Sequence, residues 1–142
     1  MMTGPYEREV QYYETDRMQI VHHSNYIRWM EEARGYLLKE MGIPYCDIEK
    51  MGILIPVLSV NAVYRQSFRY GDTFQIYLKI IRFNGVKLKI QYEIFKKGYK
   101  ELYTTAESEH CFLDENRKPF LMKNKFPELY KIFAQELDHH EK

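Results

Sequence analysis

The dipeptide Asn84-Gly85, set between two alternating segments, constrains this chain more than any other feature. Upstream, Phe74, Ile76, Leu78 and Ile80 alternate with Thr73, Gln75, Tyr77 and Lys79. Downstream, Val86, Leu88, Ile90, Tyr92 and Ile94 alternate with Lys87, Lys89, Gln91 and Glu93. A period of two puts each apolar set on one face of a strand. Asn-Gly supplies the positive backbone angles of a tight hairpin turn. The chain must therefore build a long antiparallel pair and cover its apolar face.

Three more strands extend this pair. Lys97-Gly98 reads as a second hairpin turn leading into a strand over Leu102 to Leu113. Val57 to Phe68 reads as a long strand closed by Tyr70-Gly71-Asp72, and Tyr6 to Tyr13 as a first strand. About five strands joined mostly by short turns make a largely antiparallel sheet.

The cover comes from a helix near the N-terminus. Tyr26, Met30, Ala33, Leu37 and Met41 recur at helical spacing, with Ile27, Arg34 and Leu38 beside them. Ser24 can cap the start, and Gly42 followed by Pro44 can end it. Gly35 in mid-helix costs about 1 kcal/mol relative to Ala, which suggests close backbone approach to the sheet. A shorter helix opens at Pro127, carries Leu129, Ile132, Phe133 and Leu137 on one face, and runs to about residue 138; the charged tail Asp138 to Lys142 is expected to fray. The class is α+β, a single domain over residues 1–142.

Composition narrows the function classes. The 142 residues carry a formal net charge of +1, which gives no general pull toward nucleic acid or an anionic membrane. Cys46 and Cys111 provide neither a disulfide framework nor a metal-type pair. The segment MMTGPYERE lacks the apolar stretch of a signal peptide, and no run approaches membrane-spanning length. A cytoplasmic location is expected.

Chemistry concentrates between the first strand and the long helix, in Tyr12-Tyr13-Glu14-Thr15-Asp16-Arg17-Met18-Gln19-Ile20-Val21-His22-His23-Ser24-Asn25-Tyr26. A helix start offers unpaired N–H groups and a positive dipole end, which can hold the oxygen of a polarised carbonyl. A nearby carboxylate can attack that carbonyl or activate water. Each residue also has an ordinary reading: Asp16 as a turn former, His22 and His23 as surface or packing residues. A metal centre needs three convergent donors. Only Asp16 and the His pair lie close in sequence, while His110, His139 and His140 join only through the fold, so no metal is expected.

The run Glu14-Thr15-Asp16 through Met18, Ile20-Val21-His22-His23-Ser24-Asn25-Tyr26, followed by Arg28-Trp29-Met30-Glu31-Glu32-Ala33-Arg34, resembles the opening motif of the 4-hydroxybenzoyl-CoA thioesterase-like hotdog family. It is most similar to the acyl-CoA thioesterases associated with the bacterial Tol–Pal system. Arg69-Tyr70-Gly71-Asp72 resembles a second, weaker family feature, and the resemblance spans roughly Tyr6 to Leu121. It implies a curved antiparallel sheet wrapped around the long helix, dimers joined sheet edge to sheet edge, and active sites at the subunit interface.

By the same resemblance, Asp16 is the catalytic carboxylate, acting as nucleophile or general base. The backbone N–H of His23 polarises the thioester carbonyl, Tyr12 lines the site, and Asn25 and Tyr26 shape the helix start. Arg82, Lys87 and Lys89, clustered near the hairpin, match the region that meets CoA phosphates in relatives; a solvated strand face is the plain alternative. The acyl pocket is expected from the long helix and the Ile55 to Tyr64 stretch. Relatives usually carry glycine where this chain has Gln19, which puts the loop after Asp16 in question.

The implied reaction is hydrolysis of a small or medium acyl-CoA thioester, with an acyl-carrier-protein thioester as a variant. CoA enters as part of the substrate and no other cofactor is implied. A homodimer or homotetramer is expected. The alternatives are a hydratase or dehydratase, whose usual motifs are missing, and a non-catalytic acyl-thioester-binding or regulatory module.

Overall fold

A computed structural model describes residues 1–141. Five strands form one antiparallel sheet: β1 (Thr3–Glu9), β2 (Val57–Tyr64), β3 (Thr73–Phe83), β4 (Lys87–Lys96) and β5 (Leu102–Cys111), in the order β1-β3-β4-β5-β2. The long helix α1 (Ser24–Glu40) lies on one face, with α2 (Tyr45–Lys50), α3 (Met122–Lys125) and α4 (Pro127–Glu141) around it. This is the hotdog arrangement the sequence resembles.

The hairpin forms as its sequence dictates. Gly85 takes φ +86°, and the Asn84 Oδ1 accepts the N–H groups of Val86 and Lys87 at 2.9 and 2.8 Å. Leu78 pairs with Tyr92 and Ile76 with Ile94, so both apolar sets point the same way. Phe74, Ile76, Leu78, Ile90, Tyr92 and Ile94 are fully or almost fully buried. Val86 is the exception: it belongs to the turn, the strand starts at Lys87, and its side chain is partly exposed.

Helix α1 covers this face with Tyr26, Trp29, Met30, Ala33, Leu37 and Leu38. Trp29, absent from the expected stripe, is its centre. Its ring stacks on Phe74 at 4.1 Å and meets Phe68 edge-on at 5.6 Å, tying helix to sheet. Burying a large apolar side chain contributes roughly 1.5–3 kcal/mol, so this cluster outweighs any local preference of the helix. Ile27 points to solvent instead, and Met41 is only half-buried.

Several boundaries shift for identifiable reasons. β1 ends at Glu9, because the Val10 N–H turns to the carbonyl of Asp72 and the chain enters a 3₁₀ turn at Tyr12–Glu14. β2 stops at Tyr64, where the N–H groups of Arg65 and Gln66 both donate to the Tyr103 carbonyl. β5 stops at Cys111, and Leu113 bridges instead to Leu54 and Pro119. Helix α1 is not capped by Ser24: that residue lies inside the helix and its Oγ meets His22 Nδ1 at 2.9 Å. A Cβ on Gly35 would touch the Tyr45 ring at 3.8 Å, so Gly35 faces α2 rather than the sheet.

The largest correction concerns the C-terminus. Helix α4 continues through Glu141, and His140 is buried. Beyond Thr3 the first strand has run out, and a bulge disturbs β3 between Ile80 and Arg82. There His140 takes the strand's place: its Nδ1 accepts the Ile80 N–H at 2.9 Å, and its Nε2 meets Thr3 Oγ1 at 2.8 Å. The N-terminal ammonium donates to the His140 carbonyl at 3.0 Å. Through Glu141 the tail is pinned, not frayed, and Lys142 lies outside the described residues.

Burial, with the charges of His139, the N-terminus and Lys79, pushes His140 down to about 4, and burial with Arg34 does the same to His110. A lowered folded value means the unfolded chain takes up protons first as pH falls. The stabilisation from these two histidines is therefore complete above about pH 6.5 and is lost as pH falls from there toward about 4. Denaturant titrations should show this loss. It should be smaller in His140→Asn, whose side-chain oxygen can still accept the Ile80 N–H without titrating.

Candidate active site

The loop joining β1 to α1 folds on itself. The Asp16 N–H donates to the Ile20 carbonyl at 3.0 Å, the Gln19 N–H to the Asp16 carbonyl at 2.9 Å, and the Met18 N–H to Asp16 Oδ1 at 2.8 Å. Asp16 is thus a turn residue, as its ordinary reading held, and it also lines a cleft. Gln19 sits at φ +65°, the left-handed region that glycine favours. The loop makes a bend that glycine would take without strain, with a glutamine held in it.

What fixes this loop is Glu14, which is 2% exposed. Its carboxylate takes both terminal nitrogens of Arg8, at 3.0 and 2.7 Å, the Trp29 Nε1–H at 2.7 Å and the Gln11 N–H at 2.8 Å. Its carbonyl accepts the His22 N–H at 2.9 Å and Asn25 Nδ2 at 2.9 Å. Arg8 also reaches Glu32, which Tyr6 joins at 2.7 Å. Burial pushes the Glu14 carboxyl up, but these donors outweigh it and hold it below the usual range. One buried carboxylate therefore clamps the first strand, the loop and the helix start together.

Asp16 and His23 line one cleft of about 210 Å³, with Met18, Ile20, Tyr26 and Tyr64. Among the described residues, no acceptor takes the His23 N–H, which opens the first turn of α1. A second cleft, of about 310 Å³, holds Tyr12, Asp16, Gln19, Arg69 and Tyr70. Asp16 borders both. Tyr12 is exposed and meets Tyr70 edge-on at 5.6 Å. Asn25 is buried and shapes the helix start through Glu14 and His22. Tyr26 stands on the cleft floor against Tyr64, and burial pushes its hydroxyl up to about 12.

The basic cluster lies elsewhere. Asp16 stands at the Tyr64–Thr104 end of the sheet, whereas Lys87 and Lys89 pair with Cys111 and Glu109. Five residues of strand separate Thr104 from Glu109, about 17 Å. Lys89 is also engaged by Glu107 and Glu109 at 3.2 and 3.6 Å, while Arg82 and Lys87 are exposed. Among the described residues no three His, Cys, Asp or Glu side chains converge as a metal site. Among the described residues, no helix is long and apolar enough to cross a membrane. Arg69-Tyr70-Gly71-Asp72 forms a turn in which Asp72 Oδ2 accepts the Arg69 N–H and Oδ1 meets Lys96, placing Tyr70 beside Tyr12.

Residues 10–133 match the model of the family described as the thioesterase-like superfamily. The chain belongs to that superfamily. A Bacillus subtilis (strain 168) protein named as a candidate acyl-CoA thioesterase, YneP, is 39% identical over 130 residues, covering 91% of this chain and 94% of that one. The solved DHNA-CoA thioesterase from Staphylococcus aureus aligns with TM-score 0.89 and 31% identity, covering 97% of this chain and 94% of the other. A hypothetical protein from Aquifex aeolicus aligns with TM-score 0.82 and 33% identity over 90% and 97% of the two chains. As a member of the thioesterase-like superfamily, the chain is a thioester hydrolase.

Sequence reasoning missed Glu14, Arg8, Trp29 and the Arg65 to Ser67 wall of the cleft. Trp29 was recoverable, lying three residues after Tyr26 and four before Ala33 on the helix. The Glu14 clamp was not, because its partners come from three elements.

Left-handed backbone costs a residue with a side chain about 1–2 kcal/mol. Glycine returns about half of that through its freer unfolded state. Gln19→Gly should therefore leave stability unchanged or raise it by up to about 1 kcal/mol in thermal unfolding. A clear loss would mean the glutamine side chain, not the bend, matters there.

Proposed function

We propose that this chain hydrolyses small or medium acyl-CoA thioesters, with Asp16 as the catalytic carboxylate. The observation that carries the reading is a single cleft lined by Asp16 and His23, at a helix start whose His23 N–H has no acceptor among the described residues. A thioester carbonyl seated there would receive that N–H, strengthened by the positive end of α1. The Asp16 carboxylate then has two routes. It attacks the carbonyl carbon, forming a mixed anhydride and expelling the CoA thiolate, and water later cleaves the anhydride. Alternatively it takes a proton from a water that attacks directly. Either route ends in a carboxylic acid and free CoA. The names of YneP and of the Staphylococcus aureus enzyme support a CoA ester as the substrate.

Asp16→Asn is nearly isosteric and keeps an oxygen to accept the Met18 N–H, so the loop should survive. A lost general base costs about a hundredfold to ten-thousandfold. Steady-state kinetics with a circular dichroism check should show turnover reduced by at least that lower bound. His23→Ala should cost less, because it retains the backbone N–H. If the alanine variant were the more damaged of the two, the imidazole would lead the mechanism instead.

The working unit in this reading is at least a dimer. β2 is an edge strand and exposes Val57, Leu58, Val63 and Tyr64, a surface that favours pairing. Antiparallel pairing of β2 with its copy reverses strand direction. The hairpin end of the partner's sheet then lies toward the Asp16 end of this one. That would bring Arg82 and Lys87, with Lys89 behind them, within reach of CoA phosphates in the other subunit's site. Light scattering should find no stable monomer at micromolar concentration. Lys87→Ala and Lys89→Ala should weaken binding of CoA esters more than of N-acetylcysteamine esters, and equal effects would put the phosphates elsewhere.

A further inference from the structure

The second cleft beside Asp16, of about 310 Å³, is lined by Tyr12, Thr15, Asp16, Gln19, Arg69 and Tyr70, with no wholly apolar side chain among them. Two of its donor groups are uncommitted. Asp72, the carboxylate closest to Arg69 in the chain, is engaged elsewhere: its Oδ2 accepts the Arg69 N–H at 2.9 Å and its Oδ1 pairs with Lys96 at 3.3 Å. Asp16 accepts the Met18 N–H. Among the described residues the Arg69 guanidinium makes no ion pair, and neither it nor the Gln19 carboxamide makes a hydrogen bond. The chain also holds Gln19 at φ +65°, where glycine is the unstrained choice. Strained backbone of this kind collects at ligand-binding sites. Here it sets a free carboxamide beside the catalytic loop.

The two clefts meet at Asp16 and are walled from different edges of the sheet. The first has Tyr64, which ends β2, and Arg65 after it. The second has Tyr12, which follows β1, with Arg69 and Tyr70, which lead into β3. β1 and β2 are the opposite edge strands. We propose that the second cleft receives an acyl group ending in a carboxylate, the half-thioester of a short dicarboxylic acid, held by the Arg69 guanidinium and the Gln19 carboxamide. This rests on the thioesterase reading above. In that reading the carbonyl would sit at His23 in the first cleft, and the nucleotide would reach the partner's basic residues across the β2 edge. The CoA arm would then fill the first cleft, and the acyl chain would turn past Asp16 into the second. That sets the acyl end on the other side of Asp16 from the Ile55 to Tyr64 stretch, where the sequence alone places it. An arginine fork takes a carboxylate through two parallel hydrogen bonds, and a glutamine adds an amide donor. The guanidinium also offsets the repulsion between that carboxylate and Asp16. A plain alkyl chain would gain nothing from either group and would cover them from water.

Succinyl-CoA and butyryl-CoA match in chain length and differ in the terminal carboxylate, so steady-state hydrolysis of the two tests the assignment. The protein should favour succinyl-CoA by at least about tenfold in kcat/KM, the effect of one hydrogen-bonded charged pair. Arg69→Gln should erase that preference, and Gln19→Gly, which keeps the bend, should reduce it. Arg69 and Gln19 are both exposed, so both variants should fold. Equal turnover of the two esters by the unaltered protein would overturn the proposal and leave the thioesterase reading standing. If Arg69→Gln weakened both esters alike, the guanidinium would meet the CoA half instead, and the proposal would fall. Turnover of neither these esters nor a wider acyl-CoA panel would sink the thioesterase reading and this one with it.

Discussion

The buried carboxylate of Glu14 is the interaction on which the site depends. A carboxylate this deep costs several kcal/mol to desolvate and is tolerated only when its oxygens are fully engaged. Here they are engaged by Arg8 from the first strand, Trp29 from the long helix and the loop's own backbone. Removing one partner of such a pair typically costs about 3–5 kcal/mol, far more than a surface ion pair contributes. The same residue fixes the chain direction through its carbonyl, which holds His22 and Asn25 at the helix entry. Asp16 and His23 follow this clamp two and nine residues along the chain, and both line the same cleft.

Packing carries the clamp into the rest of the fold. Trp29 donates to Glu14 with its ring nitrogen and stacks on Phe74 with its face, so one side chain serves the site and the core at once. Phe68, wedged between Trp29 and Tyr103, extends the aromatic contact to β5. Arg8 lies over the Phe74 ring at 5.2 Å, adding a cation–π contact beneath its ion pairs. The hairpin stiffens one end of the sheet and the aromatic cluster the other. The cleft opens at the aromatic end, against rigid elements, which is where a site needs its groups held.

Much of this was legible in the sequence because it is written in local patterns. The Asn84-Gly85 hairpin, the alternation of β3 and β4 and the helical stripe each need only neighbouring residues. The motif around Asp16 identified the family by resemblance, and the matched model spans residues 10–133. What was illegible depends on contacts distant in sequence. Glu14 reads as a surface glutamate until Arg8 and Trp29 close on it. His140 sits in a charged tail that looks ready to fray, yet it completes a strand edge sixty residues away in sequence. Strand register sets the basic cluster near the hairpin and the Asp16 cleft at opposite ends of the sheet, a separation that no local pattern displays.

In the proposed reaction the thioester carbonyl would sit on the His23 N–H with the Asp16 carboxylate facing its carbon. A crystal structure of the protein with a non-hydrolysable acyl-CoA analogue, its sulfur–carbonyl link replaced by a ketone spaced with CH₂, tests that directly. The expected result is a ketone oxygen about 3 Å from the His23 backbone nitrogen, with an Asp16 oxygen facing the carbonyl carbon directly or through one water. A carbonyl bound away from the helix start, or an Asp16 turned from it in every subunit, would contradict the account.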